Sequence, residues 1–173
     1  MQQVRFGIVG VGNMGSAHLA HILSGNVPEL KVTAVADISP ARLEAAKKAA
    51  EQAGQPVETF SSASALFNSG LCDAVIIATP HYDHPPLVIE ALAHKLHVIT
   101  EKPAGVYTKQ VREMNEAAAK SDKIFAVMFN QRTNHIYRKM KELVGSGKYG
   151  EIRRTNWIIT DWFRCQSYYN SGG

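Results

Sequence analysis

Short runs of apolar residues alternate along the chain with longer segments in which apolar residues recur at helical spacing. The short runs predict strands at Val4–Val9, Val32–Ala36, Val57–Phe60, Ala74–Ala78, Val98–Thr100 and Ile124–Met128. The longer segments predict helices near Met14–Ser24, Pro40–Ala53, Ala63–Asn68, Pro85–His94 and Lys109–Lys120. Nearly all-apolar strands separated by amphipathic helices are typical of an α/β fold with a doubly wound parallel sheet, covered on both faces.

The pattern changes after Asn130. It predicts a helix over His135–Val144 with Gly145 placed to end it, a turn at residues 147–150, and a longer strand over Ile152–Asp161. The sequence ends before this strand has a partner, and a lone strand cannot bury its apolar face. We therefore expect one domain in residues 1–129 and the start of a second domain in residues 130–173, in the front part of a longer protein.

Composition narrows the class of protein. Hydrophobic residues make up 45% and charged residues 20% of the chain, a balance typical of a folded domain. No apolar run approaches the roughly 18 residues of a transmembrane helix. The N-terminus leads directly into a predicted strand without a signal-peptide pattern, so we expect a cytoplasmic protein. Cys72 and Cys165 are far apart, which favours two free thiols, and we expect no metal site.

The charge pattern bears on possible partners. Lysine and arginine exceed aspartate and glutamate by 19 − 15 = +4, which raises the question of a nucleic-acid partner. The basic residues are scattered, mostly on predicted helix surfaces, and no basic stripe interleaved with aromatic residues occurs. We therefore expect neither a nucleic acid nor a membrane as a partner.

The first candidate site is a glycine motif, Gly10-Val11-Gly12-Asn13-Met14-Gly15, which directly follows a predicted strand and opens a predicted helix. In that context the pattern indicates a dinucleotide-binding Rossmann fold. Gly10 permits the tight turn, Gly12 lets a pyrophosphate approach the backbone, and Gly15 lets the helix pack closely. We expect backbone N–H groups at the helix start, including those of Asn13 and Met14, to hold the phosphates.

An acidic residue completes the predicted cofactor site. Asp37 follows the second strand, 22 residues after Gly15 (37 − 15), a spacing typical of the residue that binds the ribose hydroxyls. We include the adjacent Ile38 in this site. An acid there favours NAD over NADP, although a turn residue before Ser39 is the alternative interpretation. Arg42 keeps NADP possible, since it can pair with a 2′-phosphate; an ordinary surface arginine is the alternative.

Two further segments carry a family resemblance. Ala78-Thr79-Pro80…His84 and His97-Val98-Ile99-Thr100-Glu101-Lys102-Pro103, together with the glycine motif, closely resemble the glucose–fructose oxidoreductase / inositol dehydrogenase (Gfo/Idh/MocA) family. The resemblance implies a Rossmann domain followed by an α/β domain with a mainly antiparallel sheet. It also implies an oxidoreductase that moves a hydride between NAD(P) and a carbinol carbon of a sugar, inositol or related polyol. The full-length protein is expected to form homo-oligomers.

The resemblance also implies residue roles. Lys102 contacts the substrate hydroxyl and helps place the nicotinamide, while Thr79 and Pro80 lie along the cofactor. Glu101 belongs to the same segment and is expected to support its loop. His84 matches a family position near the cofactor, although the start of a helix is an alternative explanation. Both Thr79 and Lys102 follow predicted strands, where open α/β sheets bind ligands, and a fixed ammonium can stabilise a developing alkoxide.

One expected element is missing. Family enzymes carry an Asp-x-x-x-His pair whose histidine acts as general acid/base, and nothing after Lys102 matches it. Residues 1–173 are therefore expected to bind cofactor but to be catalytically incomplete. Arg164 and Tyr168 are the best substrate candidates, with sheet packing or a subunit contact as the alternative. An NAD-dependent glycosidase or epimerase and a dinucleotide-sensing regulator are the alternative functions.

Overall fold

The computed structural model describes residues 3–160 and 163–170. Contacts divide the chain into two compact units, Met1–Met128 and Phe129–Gly173. The first unit contains strands β1 to β6 and helices α1 to α5, in the order β1 Val4–Val9, α1 Asn13–Leu23, β2 Leu30–Ala36, α2 Pro40–Gln52, β3 Glu58–Phe60, α3 Ala63–Asn68, β4 Ala74–Ile77, α4 His84–Ala93, β5 His97–Thr100, α5 Thr108–Lys120 and β6 Phe125–Val127. A single 3₁₀ turn, His81–Asp83, precedes α4.

The strands form a parallel sheet in the order β3-β2-β1-β4-β5-β6. The chain therefore extends the sheet in one direction up to β3 and then crosses to the other side of β1. In a sheet of this kind the crevice for a ligand lies at the carboxyl ends of the strands, where the strand order reverses. Here that point lies between β1 and β4.

Side chains alternate along each strand and therefore point to both faces of the sheet, and helices cover each face. On one face, α1 and α2 pack on the strands through Leu19, Ile22, Ala46 and Ala50 against Ile8, Val35 and Ile76. On the other face, α3, α4 and α5 pack through Leu66, Val88, Ala91 and Met114 against Val9, Val75 and Ile77. The predicted doubly wound α/β class is confirmed for this unit, and the ends of the predicted strands and helices differ from the observed ones by at most two residues.

The second unit contains a 3₁₀ turn at Asn130–Arg132, helix α6 at His135–Gly145 and a short helix α7 at Gln166–Asn170. Asn134 caps α6, since its side-chain oxygen accepts a hydrogen bond from the N–H of Ile136 at 2.9 Å. The prediction that Gly145 follows the helix was wrong by one residue. Gly145 is the last helical residue, and the left-handed conformation occurs at Gly147, with φ of 69°.

The strand predicted over Ile152–Asp161 was wrong where it can be checked. Residues 152–160 form no regular secondary structure, and Asp161 lies outside the described residues. The physical reason is the one that applies to any lone strand, because its backbone N–H and C=O groups need a neighbouring strand. Ile152, Trp157 and Ile158 are accordingly exposed.

The two cysteines are free and lie in contrasting environments. Cys72 is 6% exposed, and burial raises the pKa of its thiol. Cys165 is exposed, and a hydrogen bond with Ser167 Oγ at 2.9 Å lowers the pKa of its thiol. Among the described residues, no helix combines the length and apolar character needed to cross a membrane.

Candidate dinucleotide site

The turn between β1 and α1 contains the three glycines of the motif. Gly10 has φ of 85°, and a Cβ there would lie 2.8 Å from the carbonyl oxygen of Ala78. A Cβ at Gly15 would collide with the carbonyl oxygen of Gly10. At Gly12 the nearest atom to such a Cβ is Arg42 Nη1, at 3.7 Å. Gly10 and Gly15 are therefore needed for the turn itself, whereas Gly12 leaves room for a ligand beside the backbone.

Helix α1 begins at this turn, with Gly12 as its N-cap. Within the part of the chain that the structure describes, no side chain caps the helix start, and the first turn of the helix contains no acidic residue. Asn13 and Met14 are exposed. The first N–H groups of a helix have no partner within the helix and carry partial positive charge. This end of α1 therefore suits an anionic group such as a pyrophosphate.

Asp37 lies beside the same turn, at the end of β2, and is 7% exposed. Its Oδ2 accepts a hydrogen bond from the N–H of Val11 at 2.9 Å, and its Oδ1 accepts one from the N–H of Ser39 at 2.8 Å. An ionised carboxylate has roughly four acceptor positions, so about two remain for hydroxyl groups of a ligand. Asp37 thus stabilises the turn and can also bind a ribose, two roles that the sequence presented as alternatives.

Ile38 and Arg42 flank this carboxylate. Ile38 is 91% exposed, which leaves its side chain accessible to an apolar ring. Arg42 Nη1 lies 3.8 Å from Asp37 Oδ2, and the arginine side chain is 53% exposed. Arg42 therefore lies beside Asp37 and pairs with it, and its exposed guanidinium is also accessible to a phosphate group of a ligand.

The loops after β4 and β5 meet at the same edge of the sheet. The ring of His84 is fully buried, with Nε2 2.9 Å from the carbonyl oxygen of Thr79 and Nδ1 2.7 Å from that of Pro103. Each ring nitrogen of His84 thus lies within hydrogen-bond distance of a backbone carbonyl oxygen, and this placement between two loops favours the structural alternative for this residue. Among the described residues, the buried Thr79 Oγ1 has no hydrogen-bond partner, so it is available to a ligand or to water. The adjacent Pro80 is exposed.

The segment Glu101-Lys102-Pro103 follows β5. Glu101 Oε1 lies 2.8 Å from Nε2 of His18, and Oε2 accepts a hydrogen bond from the N–H of Lys102 at 3.2 Å. Burial alone would raise the pKa of Glu101, but the hydrogen bond with His18 and that with the Lys102 N–H outweigh it and lower the pKa. Glu101 is therefore ionised at neutral pH and supports the loop, while Lys102 is exposed beyond it.

His81 lies near this segment, in the 3₁₀ turn. Its ring centroid is 5.9 Å from that of His84. Burial lowers the pKa of His81, and the charges of His84 and Lys102 lower it further. The neutral form of His81 therefore predominates at neutral pH.

Comparison with known proteins agrees with this arrangement. The model of an oxidoreductase family with an NAD-binding Rossmann fold, GFO_IDH_MocA, matches residues 4–129. The chain belongs to the Gfo/Idh/MocA family.

Individual members are similar over most of the chain. An inositol 2-dehydrogenase of Rubrobacter xylanophilus is 35% identical over 150 residues, which are 86% of this chain and 42% of the relative. The structure of scyllo-inositol dehydrogenase from Lactobacillus casei with NAD(H) and scyllo-inositol has a TM-score of 0.80 at 30% identity, covering 87% of this chain and 43% of the other. The structure of the WlbA dehydrogenase of Bordetella pertussis, in complex with NADH and UDP-GlcNAcA, has a TM-score of 0.83 at 27% identity, covering 98% of this chain and 47% of the other. The chain thus spans less than half the length of these relatives.

The second unit of this Gfo/Idh/MocA chain holds two of the residues predicted to contact substrate, Arg164 and Tyr168. The guanidinium carbon of Arg164 lies 4.3 Å from the ring centroid of Tyr168. Arg164 also lines an open cavity of about 1280 Å³ together with Arg138, Lys141, Tyr137 and Trp157. The structure therefore places the two predicted residues side by side, and Arg164 also contributes to a cavity with basic and aromatic side chains in its lining. Within the described residues, no group of three or more His, Cys, Asp or Glu side chains is placed to hold a metal ion.

Sequence reasoning missed His18 as a site residue. A signal was present, because His18 lies three residues after Gly15 and directly before Leu19, both of which are buried. A titratable side chain next to the buried positions of this helix is directed toward the protein rather than away from it. In this Gfo/Idh/MocA chain it meets Glu101.

Proposed function

We propose that this chain supplies the cofactor-binding part of an oxidoreductase that transfers a hydride between NAD and a carbinol carbon of a sugar, inositol or related polyol. The proposal depends on one observation: the glycine turn, Asp37, Thr79 and Lys102 all lie at the carboxyl ends of neighbouring parallel strands. The dehydrogenases of R. xylanophilus and L. casei, which are named for inositols, support the substrate class.

The residues fit a nicotinamide dinucleotide. The uncapped start of α1 and the open side of Gly12 suit the pyrophosphate. The remaining acceptor positions of Asp37 suit the adenosine ribose, and its negative charge disfavours a 2′-phosphate. Arg42 is the residue that would bind NADP instead. The unpaired Thr79 Oγ1 would bond with the cofactor or with a water molecule beside it.

The chemistry assigned to the chain's own residues is limited to binding and charge stabilisation. NAD, when bound, supplies the hydride acceptor. In this proposal the Lys102 ammonium would lie beside the substrate hydroxyl and would stabilise negative charge that develops on its oxygen. No Asp-x-x-x-His sequence occurs in residues 103–173. We infer that the proton acceptor belongs to another part of the protein, which also provides the mainly antiparallel sheet. Arg164 and Tyr168 would contact the substrate.

Calorimetric titration of the folded chain with NAD, NADH and NADPH tests the cofactor assignment. We expect binding of all three, with NADH tighter than NADPH. The Asp122→Ala variant, which alters an exposed acid between α5 and β6, provides a control that should bind like the unmodified chain. Absence of binding by every nicotinamide nucleotide would refute the proposal.

Turnover is tested with the protein encoded by the whole reading frame, incubated with NAD and a panel of inositols, sugars and polyols. Net NADH formation supports a dehydrogenase. Product formation with tightly held cofactor and no net NADH supports a glycosidase or epimerase that recycles its hydride. Cofactor binding with no product from any compound supports a sensing role. Light scattering on the same protein tests the predicted homo-oligomer.

A further inference from the structure

One side-chain contact connects the helix of the glycine motif to the Lys102 segment. His18 lies in the second turn of α1, and its Nε2 is 2.8 Å from Oε1 of Glu101, 83 residues away in sequence. Strand β4 lies between β1 and β5, so the contact joins two parts of the site that are not adjacent in the sheet. The side chains of His18 and Glu101 are 23% and 7% exposed, so water competes little for this hydrogen bond.

Glu101 passes this constraint to the backbone of Lys102. The backbone N–H of Glu101 donates to the carbonyl oxygen of Ile77 at 2.8 Å, which fixes the Glu101 backbone to β4. Its side chain is held by His18 at Oε1, and its Oε2 accepts from the N–H of Lys102 at 3.2 Å. The carboxylate therefore connects α1 directly to the main chain of Lys102.

Loss of the His18 donor would free this carboxylate to reorient. A buried carboxylate with a missing hydrogen bond turns toward other donors or admits water, because an unsatisfied buried charge is costly. The Lys102 N–H would then lose a fixed acceptor, and the position of the lysine would be less defined.

We infer that His18 is a positioning residue for Lys102, acting through Glu101. It fixes the main chain of Lys102 relative to the start of α1, and so limits where the Lys102 ammonium can lie beside a dinucleotide whose phosphates would bind there. The inference rests on the proposed function for the role of that ammonium, whereas the constraint on the lysine itself does not depend on a cofactor.

Two substitutions separate hydrogen bonding from packing. In His18→Gln the amide nitrogen can take the place of Nε2 and donate to Glu101. In His18→Leu the volume is filled but no donor is present. His21→Gln is the matched control, because His21 is an exposed residue of the same helix whose ring bonds with Asn26 at 3.3 Å.

The measured quantity is the rate at which acetic anhydride acylates the Lys102 amine, quantified by mass spectrometry of the peptide, with and without saturating NADH. NADH affinity and the far-UV circular dichroism spectrum are recorded for each variant. We expect the unmodified chain, His18→Gln and His21→Gln to show the same rate in the free protein and the same protection by NADH. We expect His18→Leu to show an acylation rate in the free protein that differs from that of His18→Gln. We also expect NADH to protect Lys102 about 10-fold less in His18→Leu than in His18→Gln.

Equal Lys102 acylation in the folded Leu and Gln variants, whether or not it differs from the unmodified chain, would overturn the inference, since the donor would then be irrelevant. If the Leu variant does not fold, His18→Asn replaces it, because the shorter amide does not reach Glu101. If the unmodified chain binds no NADH, the proposed function fails, and the rates in the free protein still decide the role of His18.

Discussion

Replacement of Asp37 by alanine removes two acceptors that the fold uses. Val11 is 3% exposed, so its N–H would stay buried and unpaired at a cost of about 1–3 kcal/mol. The N–H of the half-buried Ser39 would partly regain water, at a cost of about 0.5–1.5 kcal/mol. The free energy of unfolding should therefore fall by about 2–4 kcal/mol, which for a chain of this size lowers Tm by about 5–15 °C.

The same variant loses the acceptor assigned to the ribose. Hydrogen bonds to a charged group contribute about 1.5–3 kcal/mol, so the Kd for NADH should rise by roughly 10- to 150-fold. The Kd for NADPH should rise less, because removal of the carboxylate also removes its repulsion of the 2′-phosphate. Ligand preference should thus shift toward NADPH.

Differential scanning fluorimetry measures the first effect, and calorimetry below the Tm of the variant measures the second. The Asp122→Ala variant, which alters an exposed acid between α5 and β6, should change neither quantity appreciably. Equal losses of NADH and NADPH affinity in a folded variant would refute the ribose role. An unchanged Tm would refute the structural role of the two hydrogen bonds.

Three further changes test other parts of the site. Gly15→Ala should cost about 1–3 kcal/mol of stability and abolish NADH binding, because its Cβ collides with the Gly10 carbonyl. Gly145→Ala, whose Cβ would meet no described atom within 4 Å outside its own helix, should be neutral or stabilising by up to about 1 kcal/mol by the same fluorimetry. Because the pKa of Glu101 is lowered in the folded chain, its ionised form stabilises the fold at pH values above its ordinary pKa of 4.5, and this stability is lost as the pH falls through the folded pKa. Glu101→Gln should therefore flatten the dependence of Tm on pH in this acidic range, and an unchanged slope would contradict this. In the protein from the whole reading frame, Arg164→Ala should raise KM for substrate with little change in NADH affinity; the reverse pattern would refute its assignment.

The sequence predicted the strands of the first unit well because strands buried on both faces are apolar almost throughout. The strand ends were less predictable, since they depend on pairing with a neighbour. Leu30 and Lys31 extend β2 beyond its predicted start because they pair with Val4 and Arg5 of β1. Such pairing joins residues that are distant in sequence, and the local pattern does not contain it.

The same limit applies to the candidate site. The glycines and Asp37 could be proposed from the sequence because each follows a strand at a characteristic spacing. The contact between His18 and Glu101 and the two carbonyl partners of His84 were not predicted, since they depend on how loops meet after folding. Residues 152–160 show the opposite failure, in which a local strand pattern has no partner to pair with.

The contrast between the buried Cys72 and the exposed Cys165 allows one thiol to be labelled selectively. A maleimide reacts with thiolate rather than thiol, so it should modify the exposed Cys165 well before the buried Cys72. The native chain can therefore carry one fluorophore beside Arg164 without any substitution. Such a dye would report events in the second unit, while the intrinsic fluorescence of NADH would report the first, so that both could be followed in one sample.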